Sequence, residues 1–248
     1  MSQGQFAHSY SREAYAALLP DTHKTRRKVQ LALAILANAV LAVMEYIASR
    51  QLWQQHPVFK DLAIFYTHQS NLLALVAAVL FVVVGTVALF RDGRIPHSLK
   101  VFRLMCTVQL YITFLVVAVL LVPMGLAGGA DFITMYGGPM LVMHLLAPLV
   151  SLVSFVFLEG TPRLSLGDTW LATQYTYLYS LIMIILNATG KVEGPYPFLM
   201  VDVNPWWVSL LYAVTMLPGA YLVSLCGKWL NNGIACRIAG ESDSPSSN

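Results

Sequence analysis

Tyr66-Thr67-His68-Gln69-Ser70-Asn71 runs straight into Leu72-Leu73-Ala74-Leu75-Val76-Ala77-Ala78-Val79-Leu80-Phe81, and the apolar run continues to Phe90. A polar head on an uninterrupted apolar segment of this length reads as a membrane-spanning helix with functional groups at one end. A second segment has the same character: Met143-His144-Leu145-Leu146-Ala147-Pro148 places a histidine inside another apolar stretch. Polar and ionisable groups are costly in lipid, so they face a protein interior and mark function. Thr67 and His144 therefore suggest a nucleophile and a base.

The rest of the chain agrees with a membrane setting. Of 248 residues, 57% are apolar and only 11% are charged, against about 25% in an ordinary soluble domain. Mean hydropathy is +0.65. Six helices are expected, at about 29–49, 62–90, 99–123, 139–158, 169–189 and 206–227. This gives an all-α, polytopic six-helix bundle over 29–230, after an N-terminal segment 1–28 and before a tail, 231–248, whose small polar end is expected to be disordered. A short interfacial helix is expected around Tyr10–Leu19. Lys24, Arg26, Arg27 and Lys28 before the first span resemble the start of a signal peptide, but the span is too long and lacks a small-residue cleavage site, so it reads as an uncleaved helix.

Basic residues set the expected orientation. Arg12, Lys24, Arg26, Arg27, Lys28, Arg91, Arg94, Lys100, Arg103, Arg163, Lys228 and Arg237 fall on one side, and only Arg50, Lys60 and Lys191 on the other. Both termini are then cytoplasmic.

With that orientation, polar groups gather in the outer third. Glu45 is expected about one turn below the outer end of the first helix. Thr67 is expected roughly 8 Å below the start of the second, with His144 at nearly the same depth in the fourth. Thr67, Ser70 and Asn71 share one face at i, i+3 and i+4. Asn187 lies in the last turn of the fifth helix, and the following loop adds Tyr196, Asp202 and Asn204. Pro148 has no N–H for the His144 carbonyl, so a kink is expected there. Glu45 pairs with Arg50 or snorkels on a structural reading. Asp202 then only orders its loop, and His68 takes a structural or rim role. The inner half offers Asn38, Gln109, Tyr111, Thr113, Gln174 and Tyr175, with no evident acid or base.

Other chemistries find little footing. No basic stripe with interleaved aromatics points to nucleic acid. Cys106, Cys226 and Cys236 have no metal-binding or disulfide spacing, and no signature for a nucleotide, zinc or serine-elbow enzyme is present, so no cofactor or metal is expected. Haem or metal ligation would require His68 and His144 to face each other. Asn187-Ala188-Thr189 matches a glycosylation sequon by chance at a helix end.

Ordered landmarks along the chain resemble the androgen-induced membrane protein family of intramembrane threonine hydrolases. They are Phe65-Tyr66-Thr67 opening the second helix, His144 before Pro148 in a fourth helix that closes on Leu158-Glu159, and Tyr196-Pro197-Phe198-Leu199 before the last helix. Gln69-Ser70-Asn71-Leu72 is closer to the bacterial six-helix branch. The chain departs from the hydrolases in carrying His68 directly after the threonine, and in having His144 without neighbouring histidines. The resemblance implies a Thr67–His144 catalytic pair acting on lipid esters, such as fatty acid esters of hydroxy fatty acids, in a bacterial inner membrane. Gln69, Ser70, Asn71 and Tyr196 are then alternative oxyanion donors. The expected partners are the bilayer and the ester. A non-enzymatic solute or proton pathway through Glu45, Thr67, Ser70, Asn71 and His144 is the alternative.

Overall fold

The computed structural model describes residues 22–55, 62–91, 93–129, 131–160 and 162–238. The expected helix at Tyr10–Leu19 and the end of the tail lie outside them. All regular structure among the described residues is helical: α1 (Thr22–Gln55), α2 (Tyr66–Phe90), α3 (His97–Ala127), a short α4 (Phe132–Tyr136), α5 (Pro139–Leu158), α6 (Leu166–Ala188) and α7 (Trp206–Ile238). Five of them, α1, α2, α3, α5 and α7, are long and apolar enough to cross a membrane. The chain is thus a multi-pass helical membrane protein. α6 has the length, 23 residues, but Thr173, Gln174, Tyr175, Thr176, Tyr177, Tyr179 and Ser180 keep its hydropathy below that of the five.

Polarity in this bundle is inverted relative to a soluble one. On α1 the buried stripe is Ala34, Asn38, Leu41, Glu45, Ala48 and Leu52, at alternating spacings of three and four, while Leu36, Val40, Val43 and Ile47 face outward. On α2 the buried face is Thr67, Ser70, Asn71, Ala74, Ala77, Ala78, Phe81, Gly85 and Ala88, whereas Leu72, Val76, Val79 and Val83 are exposed. With no water to drive apolar burial, helices associate through small residues that let backbones approach. Gly85 shows how closely: a Cβ there would stand 2.9 Å from Ile35 Cγ1 of α1.

Two prolines shape the helices through widened turns. The Val122 N–H bonds the Val117 carbonyl just before Pro123, and the Ala147 N–H bonds the Val142 carbonyl just before Pro148. A proline ring clashes with the carbonyl four residues earlier, and a π turn moves that carbonyl aside. The distortion expected at Pro148 takes this form.

The helix limits correct several expectations. α1 continues to Gln55, so Glu45 lies ten residues, about 15 Å, from its end instead of one turn. α2 starts at Tyr66, because Phe65 is extended (φ −85°, ψ 125°), and Thr67 sits in the first turn. Lys100 and Arg103, counted above among the basic residues that set the orientation, belong to the first two turns of α3 and are buried, at 1% and 0% exposure. Arg103 is held by Glu159, with Nη2 to Oε1 at 2.9 Å. Asn38 Nδ2 and Ser154 Oγ also donate to Glu159 Oε1, at 3.0 and 2.8 Å, and Asn231 Nδ2 donates to the Glu159 carbonyl at 2.8 Å. One glutamate thereby ties α1, α3, α5 and α7 together at this end of the bundle.

Candidate functional site

The candidate site forms at the opposite end, where α2 begins. Phe65 caps α2 without a side-chain bond, so the first N–H groups of the helix need outside partners. Tyr196, from the loop between α6 and α7, supplies one: the Thr67 N–H donates to the phenol oxygen at 3.3 Å. The Thr67 and Tyr196 hydroxyls also face each other at 3.4 Å, a loose contact for two hydroxyls. Burial pushes the Tyr196 phenol above its ordinary range, and its hydrogen bonds with Thr67 draw it partly back, so the phenol is neutral and can donate.

Behind Thr67 the helix is locked. Its carbonyl accepts from Ser70 Oγ at 3.0 Å and from Asn71 Nδ2 at 2.7 Å. Ser70 Oγ also meets Thr113 Oγ1 of α3 at 3.2 Å. Tyr66 OH meets Thr176 Oγ1 at 2.7 Å, and Tyr179 OH donates to the Ile64 carbonyl at 2.7 Å. Tyr175 OH donates to Gln69 Oε1, whose Nε2 donates to the Ala63 carbonyl. The start of α2 is clasped from α3, α6 and the Tyr196 loop, and the Thr67 hydroxyl is the group left facing space.

That space is a cavity of about 350 Å³ between α2, α3, α6 and α7. Its walls are mostly apolar, among them Ile112, Val116, Leu121, Phe198, Leu217 and Val223. Thr67 and Tyr196 bring polar atoms to its upper wall. Leu222, 59% exposed, is also part of the lining, so the cavity reaches the apolar flank between α3 and α7. Gly219 lines it as well, and a Cβ there would meet nothing within 4 Å.

His144 lies in the π turn Val142–Leu146 and is 7% exposed. Its Nδ1–H donates to the Met135 carbonyl of α4 at 2.7 Å, and its ring stands edge-on to Tyr136. A carbonyl can only accept, so the neutral ring carries its proton on Nδ1 and leaves Nε2 as a lone pair. No hydrogen bond joins His144 to Thr67, and His144 does not line the Thr67 cavity.

The remaining expected site residues divide. Ser70, Asn71 and Tyr196 are at the site, and Gln69 braces it. Asn187 orders the loop, donating to the Val192 carbonyl at 3.4 Å and accepting from the Asp202 N–H at 3.2 Å. The Asp202 side chain is exposed and does not line the Thr67 cavity. Glu45 is fully buried, with neither carboxylate oxygen hydrogen-bonded among the described residues, which removes both pairing with Arg50 and snorkelling. His68 Nδ1 donates to the Leu62 carbonyl at 3.1 Å, a structural role at the rim. Thr113, Tyr66, Thr176 and Tyr179 were not read as site residues. The Thr176-Tyr179-Ser180 spacing, three polar groups on one face of α6, was the available signal. Among the described residues, no three His, Cys, Asp or Glu side chains cluster as metal ligands.

No protein family model matches the chain, and no curated protein or solved structure is significantly similar to it. The fold and site define a class: a helical membrane protein with a hydroxyl presented to an apolar cavity inside the bundle.

Proposed function

We propose that the protein is an intramembrane hydrolase of lipid esters, with Thr67 as nucleophile, His144 as base and Tyr196 as oxyanion donor. One observation carries the reading. The Thr67 and Tyr196 hydroxyls meet on the wall of a mostly apolar cavity that reaches the flank of the bundle. Such a cavity suits a ligand that is apolar along its length and polar at one point, as an ester of long chains is.

In this scheme Thr67 Oγ1 attacks the ester carbonyl carbon while its proton passes to His144 Nε2. The Tyr196 phenol donates to the carbonyl oxygen as it gains charge. The C–O bond to the alcohol breaks, and the alcohol leaves with the proton from His144. Water then attacks the acyl-Thr67 ester, again losing its proton to His144; the acyl C–O bond breaks, His144 returns the proton to Thr67 Oγ1, and the fatty acid departs. The Met135 carbonyl fixes the tautomer this requires. In the resting structure Thr67 and His144 are not bonded, so a water or a side-chain rotation completes the relay when substrate binds, as active-site hydrogen bonds often tighten only in the complex. That same gap is the observation favouring the second reading, a non-enzymatic polar pocket for a small solute.

We place the protein in the membrane with α6 as a sixth span, both termini cytoplasmic and the Thr67 end outermost. Thr67 then meets substrate from the outer leaflet. The basic residues that open α1 (Arg26, Arg27 and Lys28), Arg91 and Arg94, and Arg163 support this orientation. The resemblance noted above supports a bacterial inner membrane. Accessibility labelling of cysteines at Ser244 and Asp131 should report opposite sides.

The functional test is labelling by a fluorophosphonate hydrolase probe, with melting measured on the same preparations. Wild type and Thr67→Ser should label, while Thr67→Ala and His144→Ala should not, at unchanged melting temperature. Equal labelling of Thr67→Val and wild type removes Thr67 as nucleophile and moves the solute-pocket reading ahead.

A further inference from the structure

Beneath Thr67 lies a second polar group of residues that the scheme above does not use. Glu45 on α1, Asn71 on α2 and Gln109 on α3 are each 0% exposed. Both Glu45 oxygens, Asn71 Oδ1, Gln109 Oε1 and Gln109 Nε2 have no hydrogen-bond partner among the described residues.

Their neighbours place them together. Leu41, one turn from Glu45, packs with Ala78 and Ala147, and Ala48, one turn the other way, packs with Met143. Gln109 is flanked by Cys106 and Leu110, which pack on Ala74 and Ala77 of α2. Glu45 is also within electrostatic reach of Cys106. Asn71 lies one turn from Ala74 toward Thr67, and its own Nδ2 holds the Thr67 carbonyl at 2.7 Å. The three side chains thus occupy adjacent levels of the bundle centre, directly under the first turn of α2.

The atoms state what would satisfy them. Asn71 Oδ1, Gln109 Oε1 and the Glu45 carboxyl accept, Gln109 Nε2 donates, and the Glu45 carboxyl donates as well when protonated. None of these atoms hydrogen-bonds to another of the group. Buried polar groups in folded proteins are almost always partnered, and unpaired ones in a roomy polar site are bridged by ordered water. Water both donates and accepts, so it can satisfy either kind of atom.

We propose that Glu45, Asn71 and Gln109 hold an internal cluster of ordered water beneath Thr67. Asn71 links the two sites, with its amide nitrogen on the Thr67 backbone and its oxygen on the water. As the store from which the deacylating water is drawn, the cluster rests on the hydrolase reading. As a hydrated site it does not, and the test reads hydration alone.

Hydroxyl-radical labelling by X-ray radiolysis, with the purified protein in detergent and H2(18)O as solvent, marks side chains next to trapped water. Cys106, at 0% exposure, should take up label in the folded wild type, and the yield should drop several-fold in Glu45→Leu. Gln109→Leu should give the same drop and serves if Glu45→Leu does not fold, as judged by melting. An unlabelled Cys106 in wild type, or undiminished labelling in a folded variant, overturns the proposal. A dry centre in an active hydrolase would remove this inference alone. A hydrated centre in a protein that takes no probe would remove the enzyme reading alone.

Discussion

Two glutamates of the same bundle, both buried, are treated in opposite ways. Glu159 accepts from Arg103, Asn38 and Ser154 and binds Asn231 through its carbonyl. Glu45 accepts from nothing among the described residues. The Glu159 end is not perfectly matched, since Arg103 Nη1 and Asn38 Oδ1 also have no partner among the described residues, but its charges are paired. Paired charge holds helices in place. Unpaired buried polarity calls for a partner that is not protein, and so points to where chemistry can occur.

The largest effect should come from breaking the paired end. Glu159→Ala leaves Arg103 as an uncompensated buried charge and should cost about 3–5 kcal/mol, read as a large fall in melting temperature or failure to accumulate. Arg103→Met together with Glu159→Leu should recover most of that loss, because neither charge then remains buried. If the double variant is as unstable as the single, the pair is not what holds the four helices.

Next in size is the α1–α2 contact. Gly85→Val should cost about 1–3 kcal/mol by overpacking against Ile35, and Ile35→Ala in the same chain should relieve part of it. Additive losses would show that the two residues do not meet.

The unpaired end should respond in function more than in stability. Tyr196→Phe should slow turnover about 10²–10³-fold if the phenol is the oxyanion donor, while melting shifts by about 1 kcal/mol. Gly219→Trp should block long-chain esters by filling the cavity yet leave probe labelling intact. Thr67→Val should abolish labelling for about 0.6 kcal/mol of stability. A loss of several kcal/mol there would make Thr67 a structural residue. Asp202→Asn, on the exposed loop, should change neither readout.

Much of the bundle was readable in advance because apolar runs of spanning length have few alternatives. The α2, α3 and α5 segments fell close to their expected places, and Thr67, Ser70, Asn71 and Tyr196 share one region as their spacing suggested. What could not be read was set by helix ends and faces. Lys100 and Arg103 fall in the expected third helix, but nothing in its apolar run shows that both turn into the core. Tyr46 to Gln55 continues α1 past its most apolar part, which puts Glu45 deep in the bundle. The partner of Arg103 was equally hidden, because Glu159 is distant in sequence and looks like a helix-end residue. His144 and Thr67 shared a depth on paper, but depth says nothing about angle around a helix, and the widened turn at 142–146 alters that angle.

That widened turn has a consequence for how the protein can vary. A π turn is an α-helix carrying one residue too many, so the two halves of α5 are set at different rotational phases. The half bearing His144 is aimed at α4 and the loop end, and the half bearing Ser151 and Ser154 at α3 and α1, through Thr107 and Asn38. Removing one residue between Val142 and Leu146 would restore regular winding and swing one half by about 100° against the other. The chain could then keep His144 facing Met135 or Ser154 facing Asn38, but not both. The extra residue acts as a phase adjuster between the anchored end and the open end, and relatives should be able to lose it only by giving up one of the two alignments.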